Sequence, residues 1–114
     1  MKLNAIIEEL QDYCFKDENI KKEKKELFDN YQIDFLDGFI GVLLNQYLDK
    51  NKFDVYVSIK SKEKIACPLL YKSFDNIMDA KMYYNDIKNL IDNNDENFIA
   101  NRCKIGLWVK NCTP

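Results

Sequence analysis

The chain has no histidine, only three glycines and two prolines, and a single arginine. Without histidine the usual general base near neutral pH is missing, and so are Ser–His and Cys–His nucleophile pairs. The scarcity of Gly and Pro leaves little room for long flexible linkers. Long apolar runs are missing too. The longest, residues 39–44 with Gly41 inside it, is far too short to span a bilayer. Near the N-terminus, Glu8 and Glu9 interrupt the apolar residues before a signal-peptide core can form. A soluble, cytoplasmic protein is therefore expected. No Walker, Rossmann or H-E-x-x-H pattern occurs, so neither catalysis nor a cofactor is expected.

What is present points to one folded domain over residues 1–114. The 114 residues are 46% hydrophobic and include 15 aromatics, enough for a real core. Lysine, asparagine and isoleucine are abundant, as in an AT-rich genome, so a lone Lys or Asn says little about function. The four cysteines, Cys14, Cys67, Cys103 and Cys112, show no C-x-x-C spacing. Free thiols are expected, three of them as small core residues, and no zinc site.

Along the chain, Leu3, Ile6, Ile7, Leu10, Tyr13 and Cys14 mark a first amphipathic helix. Residues 16–31 are a charged stretch that reads as a mostly solvated helix. Asp34 then heads a central helix carrying Leu36, Phe39, Ile40, Leu43, Leu44, Tyr47 and Leu48, with Gly38 and Gly41 inside it. The G-x-x-G spacing suits close packing of a neighbour better than a nucleotide clamp, because it holds no basic residue. Asp37-Gly38 offers an alternative, a turn that delays the helix start. The period then changes. Phe53, Val55, Val57 and Ile59 alternate with polar residues, and Ile65, Cys67, Leu69 and Tyr71 follow as the second strand of a hairpin, with Pro68 placing it at an edge or a bulge. Ser73 or Asp75 caps a helix through Ile77, Ala80, Tyr84, Ile87 and Ile91. A polar loop at residues 92–97 lacks the Gly and Glu of a calcium loop, and a last strand runs from Cys103 to Val109. The expected architecture is α+β: N-terminal helices (residues 1–49), then a β-β-α-β unit (residues 50–114) with a small, mostly antiparallel sheet.

Charge is sorted by segment. Net charge is −5 over residues 1–49, +4 over 50–72, −4 over 73–100 and +3 over 101–114, inside a total of −2. Opposite-sign surfaces on a small domain steer a charged macromolecular partner. The leading expectation is a non-catalytic inhibitor that binds another protein, a nucleic-acid-handling enzyme or a toxin. Glu8, Glu9, Asp12, Asp92, Asp95 and Glu96 would set its association, with Tyr56, Tyr83 and Trp108 as anchors. The alternative is a nucleic-acid-binding module using Lys60, Lys72, Arg102, Lys104 and Lys110 on the outer sheet face beside Tyr56 and Trp108. A small-molecule-sequestering protein or minor enzyme is a second alternative. In general character the chain is similar to the small inhibitors of phages and competing bacteria, such as anti-CRISPR and toxin-immunity proteins, although no residue motif carries that likeness.

The cysteine pattern has a direct test. Purified protein under reducing conditions should titrate as four free thiols, hold no stoichiometric zinc, and melt unchanged in the presence of a chelator.

Overall fold

The computed structural model describes residues 3–10 and 25–104. A helix α1 (Leu3–Leu10) precedes four strands, β1 (Lys25–Phe35), β2 (Gly38–Tyr47), β3 (Phe53–Lys60) and β4 (Ile65–Phe74). Two helices follow, α2 (Ile77–Asp92) and α3 (Glu96–Lys104). The strands form an antiparallel meander in the order β1-β2-β3-β4, so this is an α+β domain with a small open sheet.

Several elements differ from the sequence expectation. Residues 25–31 belong to β1 rather than to a solvated helix, and the expected central helix is the β1–β2 hairpin. One feature of this segment disguises its period. Tyr31, Ile33 and Phe35 alternate toward the core on β1, and Ile40, Val42 and Leu44 do so on β2. However, β2 also carries Phe39, Leu43 and Tyr47 on its other face, so its apolar positions mimic a helical stripe. Gly38, Gly41 and the β-branched and aromatic residues around them favour the strand. Asp34 lies in β1 and caps nothing. Cys103 and Lys104 are the last turn of α3, not the start of a strand. The rest of that expected strand, Ile105, Leu107 and Val109, lies outside the described residues, as do Cys14, Cys112 and residues 16–24.

All three helices lie on one sheet face. Leu3, Ile6 and Ile7 of α1, Ala80, Tyr84, Ile87 and Ile91 of α2, and Ile99 and Ala100 of α3 join Ile40, Val42, Val55, Val57 and Ile59 in one core. Burial of side chains such as Ile87 and Ile91 contributes roughly 2 kcal/mol each. Asn76, not Ser73 or Asp75, caps α2: its side-chain oxygen accepts from the Asp79 amide at 2.9 Å, and its Nδ2 donates to the Asp79 carboxylate at 2.8 Å. The strand β4 is an edge strand, as Pro68 requires. The β3–β4 register slips between Val57/Leu70 and Ile59/Ala66, across the stretch that contains Pro68.

The hairpin end of the sheet is tightly built. Leu36 opens the two-residue β1–β2 turn at φ 52°, a left-handed conformation that costs about 1 kcal/mol for a residue with a Cβ. Next to it, the Asp37 carboxylate accepts the Leu3 amide at 2.7 Å and so caps α1 from another part of the chain. A Cβ on Gly38 would fall 2.2 Å from the Lys60 carbonyl oxygen and 2.5 Å from a Leu3 methyl. This is the close packing expected over the G-x-x-G glycines, and it rests on Gly38.

The opposite face is not a simple solvated surface. Asp54 is fully buried there, although its place in the alternation predicts exposure. Lys25 donates to it at 2.5 Å and Asn45 Nδ2 at 3.0 Å, so the carboxylate is paired across three strands. The Lys25 ammonium also lies 4.8 Å from the centroid of the Tyr47 ring.

Two substitutions test these constraints. Gly38→Ala should lower stability by about 2 kcal/mol in urea unfolding, because backbone blocks the new methyl. Asp54→Ala should cost about 3 kcal/mol, since it strands a nearly buried ammonium; Lys25→Met in the same background should recover part of that loss.

Candidate functional site

The seam between β1 and α2 brings apolar, acidic and phenolic groups together. Helix α2 lies over the sheet with Ala80, Tyr84, Ile87 and Ile91 facing inward. By helical spacing, Lys81, Asn85, Lys88 and Asp92 then run along its flank, and contacts place that flank over β1. The Lys81 ammonium sits 5.2 Å from the centroid of the Phe28 ring, and that of Lys88 sits 4.8 Å from the Tyr31 ring. The Tyr31 hydroxyl donates a short hydrogen bond to Asp92 at the helix end.

Two tyrosines therefore lean on two carboxylates. The hydrogen bond to Asp92 raises the Tyr31 phenol above its ordinary value, helped by desolvation and by the Asp92 charge. Burial pushes the Tyr84 phenol up to about 12, assisted by the charge of Asp29, a hydrogen bond to Asp29 and the proximity of Tyr31. Both hydroxyls stay protonated at neutral pH and act as donors, which suits holding α2 on β1 and not proton abstraction.

The seam also exposes apolar surface. Between Leu27 and Asp29 the β1 register slips, and Phe28 bulges out of the ladder. Phe28 is 46% exposed; Leu27, 51% exposed, is in register with Asn45 on the face turned from the helices. On α2, Met78 and Met82 lie one turn apart and are 67% and 63% exposed. Lys81, which reaches Phe28, lies between these methionines in sequence. Exposed carboxylates belong to the same two elements: Glu26 and Asp29 on β1, Asp92 on α2. Flexible thioethers and an aromatic ring on elements that also carry acids are suited to a protein contact. The signal was present in the sequence, where Phe28 and Met78/Met82 fall off the apolar stripes, but only the fold brings Phe28 against α2, through Lys81.

The expected partner-binding residues divide between places. Glu8 lies on α1, paired with Lys64 at 2.6 Å. Glu9 is on the same helix. Asp92, Asp95 and Glu96 cluster at the α2–α3 corner, where the Asp95 carboxylate accepts the Phe98 amide at 2.8 Å and starts α3. Tyr56 is half-buried on the sheet face turned away from the helices, whereas Tyr83 is on α2 and packs on Phe74 with ring centroids 5.4 Å apart. The two tyrosines do not form one site. Asp12 and Trp108 lie outside the described residues.

The expected basic sheet face is corrected. Lys60 stands on the face turned from the helices, but Lys72 is in register with the core residue Val55 and lies over Phe74 and Tyr83 on the helix side. Arg102 and Lys104 are on a helix, α3. These four do not share a sheet face; Lys110 lies outside the described residues. An open cleft of about 540 Å³ at the hairpin end includes Asp34, Phe39, Lys60 and Lys62. Its Asp37 is committed to the α1 amide, and its Ser61 hydroxyl bonds Lys64 within its own turn. Among the described residues, no three of Cys, Asp and Glu gather as metal ligands, and no helix is long and apolar enough to cross a membrane.

Comparison with protein-family models, curated proteins and solved structures found no match.

The phenols carry a pH dependence with a definite sign. Because folding raises the Tyr84 pKa from 10 to about 12, its stabilisation is fully present below pH 10 and is lost as pH rises through 12. Tyr31 acts in the same direction. In a spectrophotometric tyrosinate titration, Tyr84→Phe should remove a step near pH 12. Its stability should also fall less steeply than wild type above pH 10.

Proposed function

We propose that this protein is a non-catalytic inhibitor that docks on another protein through the β1–α2 seam and blocks a macromolecular enzyme with a basic surface. The observation that carries this reading is the exposed Phe28 of β1, with the Lys81 ammonium of α2 over its ring, together with the exposed Met78 and Met82 on that same helix and the exposed carboxylates of Glu26, Asp29 and Asp92 on the two elements. Isolated exposed apolar residues need no explanation, but an aromatic ring and two methionines on contacting elements that also carry acids have the composition of a docking surface. In this reading the acids accelerate encounter with a cationic partner, and the apolar side chains slow its release. A domain of this size can present the roughly 800 Å² per partner of a standard interface. The inhibitors of phages and competing bacteria act in this way, by occluding a nucleic-acid-handling enzyme or a toxin. The dispersed basic residues favour a protein partner over a nucleic acid.

The test begins with capture of partners from bacterial lysate on immobilised protein, followed by kinetics with the partner identified. Phe28→Ala and Met82→Ala should each weaken binding about tenfold, mainly through faster dissociation. Glu26→Lys with Asp34→Lys should slow association and flatten its salt dependence. Retention of no protein, or binding indifferent to all four changes, would sink the proposal.

A further inference from the structure

The outer edge of β1 extends the docking reading. Among the described residues β1 pairs only with β2, so one side of its backbone has no strand beside it. The hairpin geometry tells which amides face that side. Phe35 and Gly38 close a two-residue turn, and such a closing pair exchanges both hydrogen bonds. Alternation then turns the N–H and C=O of Phe35, Ile33 and Tyr31 toward β2. The Tyr31 carbonyl oxygen, 3.3 Å from where a Gly41 Cβ would lie, agrees with this assignment. Asn30, Gln32 and Asp34 consequently direct their backbone groups outward; the Asn30 amide donates to the Asp29 carboxylate at 2.8 Å, so the edge donors of the strand are the amides of Gln32 and Asp34.

The two sheet edges are not equivalent. On β4 a register slip and Pro68 interrupt regular pairing. On β1 the register is unbroken from Asp29 to Phe35, and the bulge at Phe28 marks where a regular ladder would stop. The charge of the edge selects its occupant. From Glu26 to Phe35, β1 carries Glu26, Asp29 and Asp34 and no basic residue. A second copy would align two acidic strands, whereas a cationic strand would be attracted.

We propose that residues 30–35 of β1 are a strand-addition site for a short extended segment of the partner in which apolar residues alternate with lysine or arginine. This inference rests on the docking reading above and names the partner's chemistry. The apolar residues of the added strand lie beside Tyr31 and Ile33 on the helix-covered face. Its cations lie on the other face, where Asp34 and the amides of Asn30 and Gln32 stand. Main-chain bonds to Gln32, Asp34 and the Asn30 carbonyl hold the segment, and charge sets its preference.

The test uses the full chain and a capped six-residue peptide of alternating lysine and valine, followed by amide hydrogen exchange in NMR spectra. At saturating peptide, the amides of Gln32 and Asp34 should slow at least tenfold. A peptide N-methylated at alternate residues, on the bonding side, should protect none of them, and an acidic glutamate–valine peptide should not bind. Gln32→Pro should abolish peptide binding with the fold and melting little changed, because the lost N–H bonds nothing among the described residues. No protection at saturation, or no binding up to millimolar peptide, overturns strand addition, as does binding that survives N-methylation. The same Gln32→Pro variant separates the two proposals with the captured partner. Loss on Phe28→Ala but not on Gln32→Pro leaves docking standing and removes strand addition; indifference to both removes both.

Discussion

The space left empty at Gly38 is the constraint on which the hairpin end of this fold depends. The Lys60 carbonyl of β3 and a methyl of Leu3 on α1 both occupy the volume that a side chain there would need. That approach brings α1 down onto the sheet, and Asp37 then satisfies the Leu3 amide that the helix start leaves unbonded. The positive φ of Leu36 belongs to the same arrangement. Turning the chain in two residues costs backbone strain, and the core contacts of Phe35, Ile40 and α1 outweigh it.

The opposite end and flank are held by a different kind of interaction. Tyrosine hydroxyls meet carboxylates where α2 lies on β1, and a buried ion pair ties β1 to β3 on the other face. Both devices fasten β1, the strand with an edge beyond the sheet. A strand held on its inner side and both faces is a firm platform on its outer side. The exposed Phe28, Met78 and Met82 lie along this fastened strand and its covering helix. The docking proposal thus places the binding surface on elements whose positions are over-determined, which lowers the ordering cost of association.

The second half of the fold was legible for physical reasons that differ by element. The strand β3 alternates cleanly, and α2 carries a single apolar stripe, so each has one period to read. Pro68 announced an edge because it cannot donate to a ladder. The hairpin of β1 and β2 was not legible by the same method. With apolar residues on both faces, β2 has no single period, and Tyr31-x-Ile33-x-Phe35 was divided between the charged stretch ending at residue 31 and a helix expected to start at Asp34. The Asp37-Gly38 pair followed by Ile40-x-Val42-x-Leu44 was the available hairpin signal. The candidate site was missed for a related cause, since its members come from one strand misread as helix and the outward face of a distant helix.

The sequence by itself determined the class of the molecule: an α+β fold with an antiparallel sheet, no catalytic motif, and charge segregated along the chain. Those properties follow from composition and local periodicity, which act residue by residue. Tertiary structure alone decided which charges share a surface. It buried Asp54 against Lys25, sent Lys60 and Lys72 to opposite faces, and set Asp92 against Tyr31, sixty-one residues away in the chain. The reason is the two-residue period of a strand and the register between strands. A charge one position along points to the other face, and its neighbours are then chosen by pairing rather than by sequence.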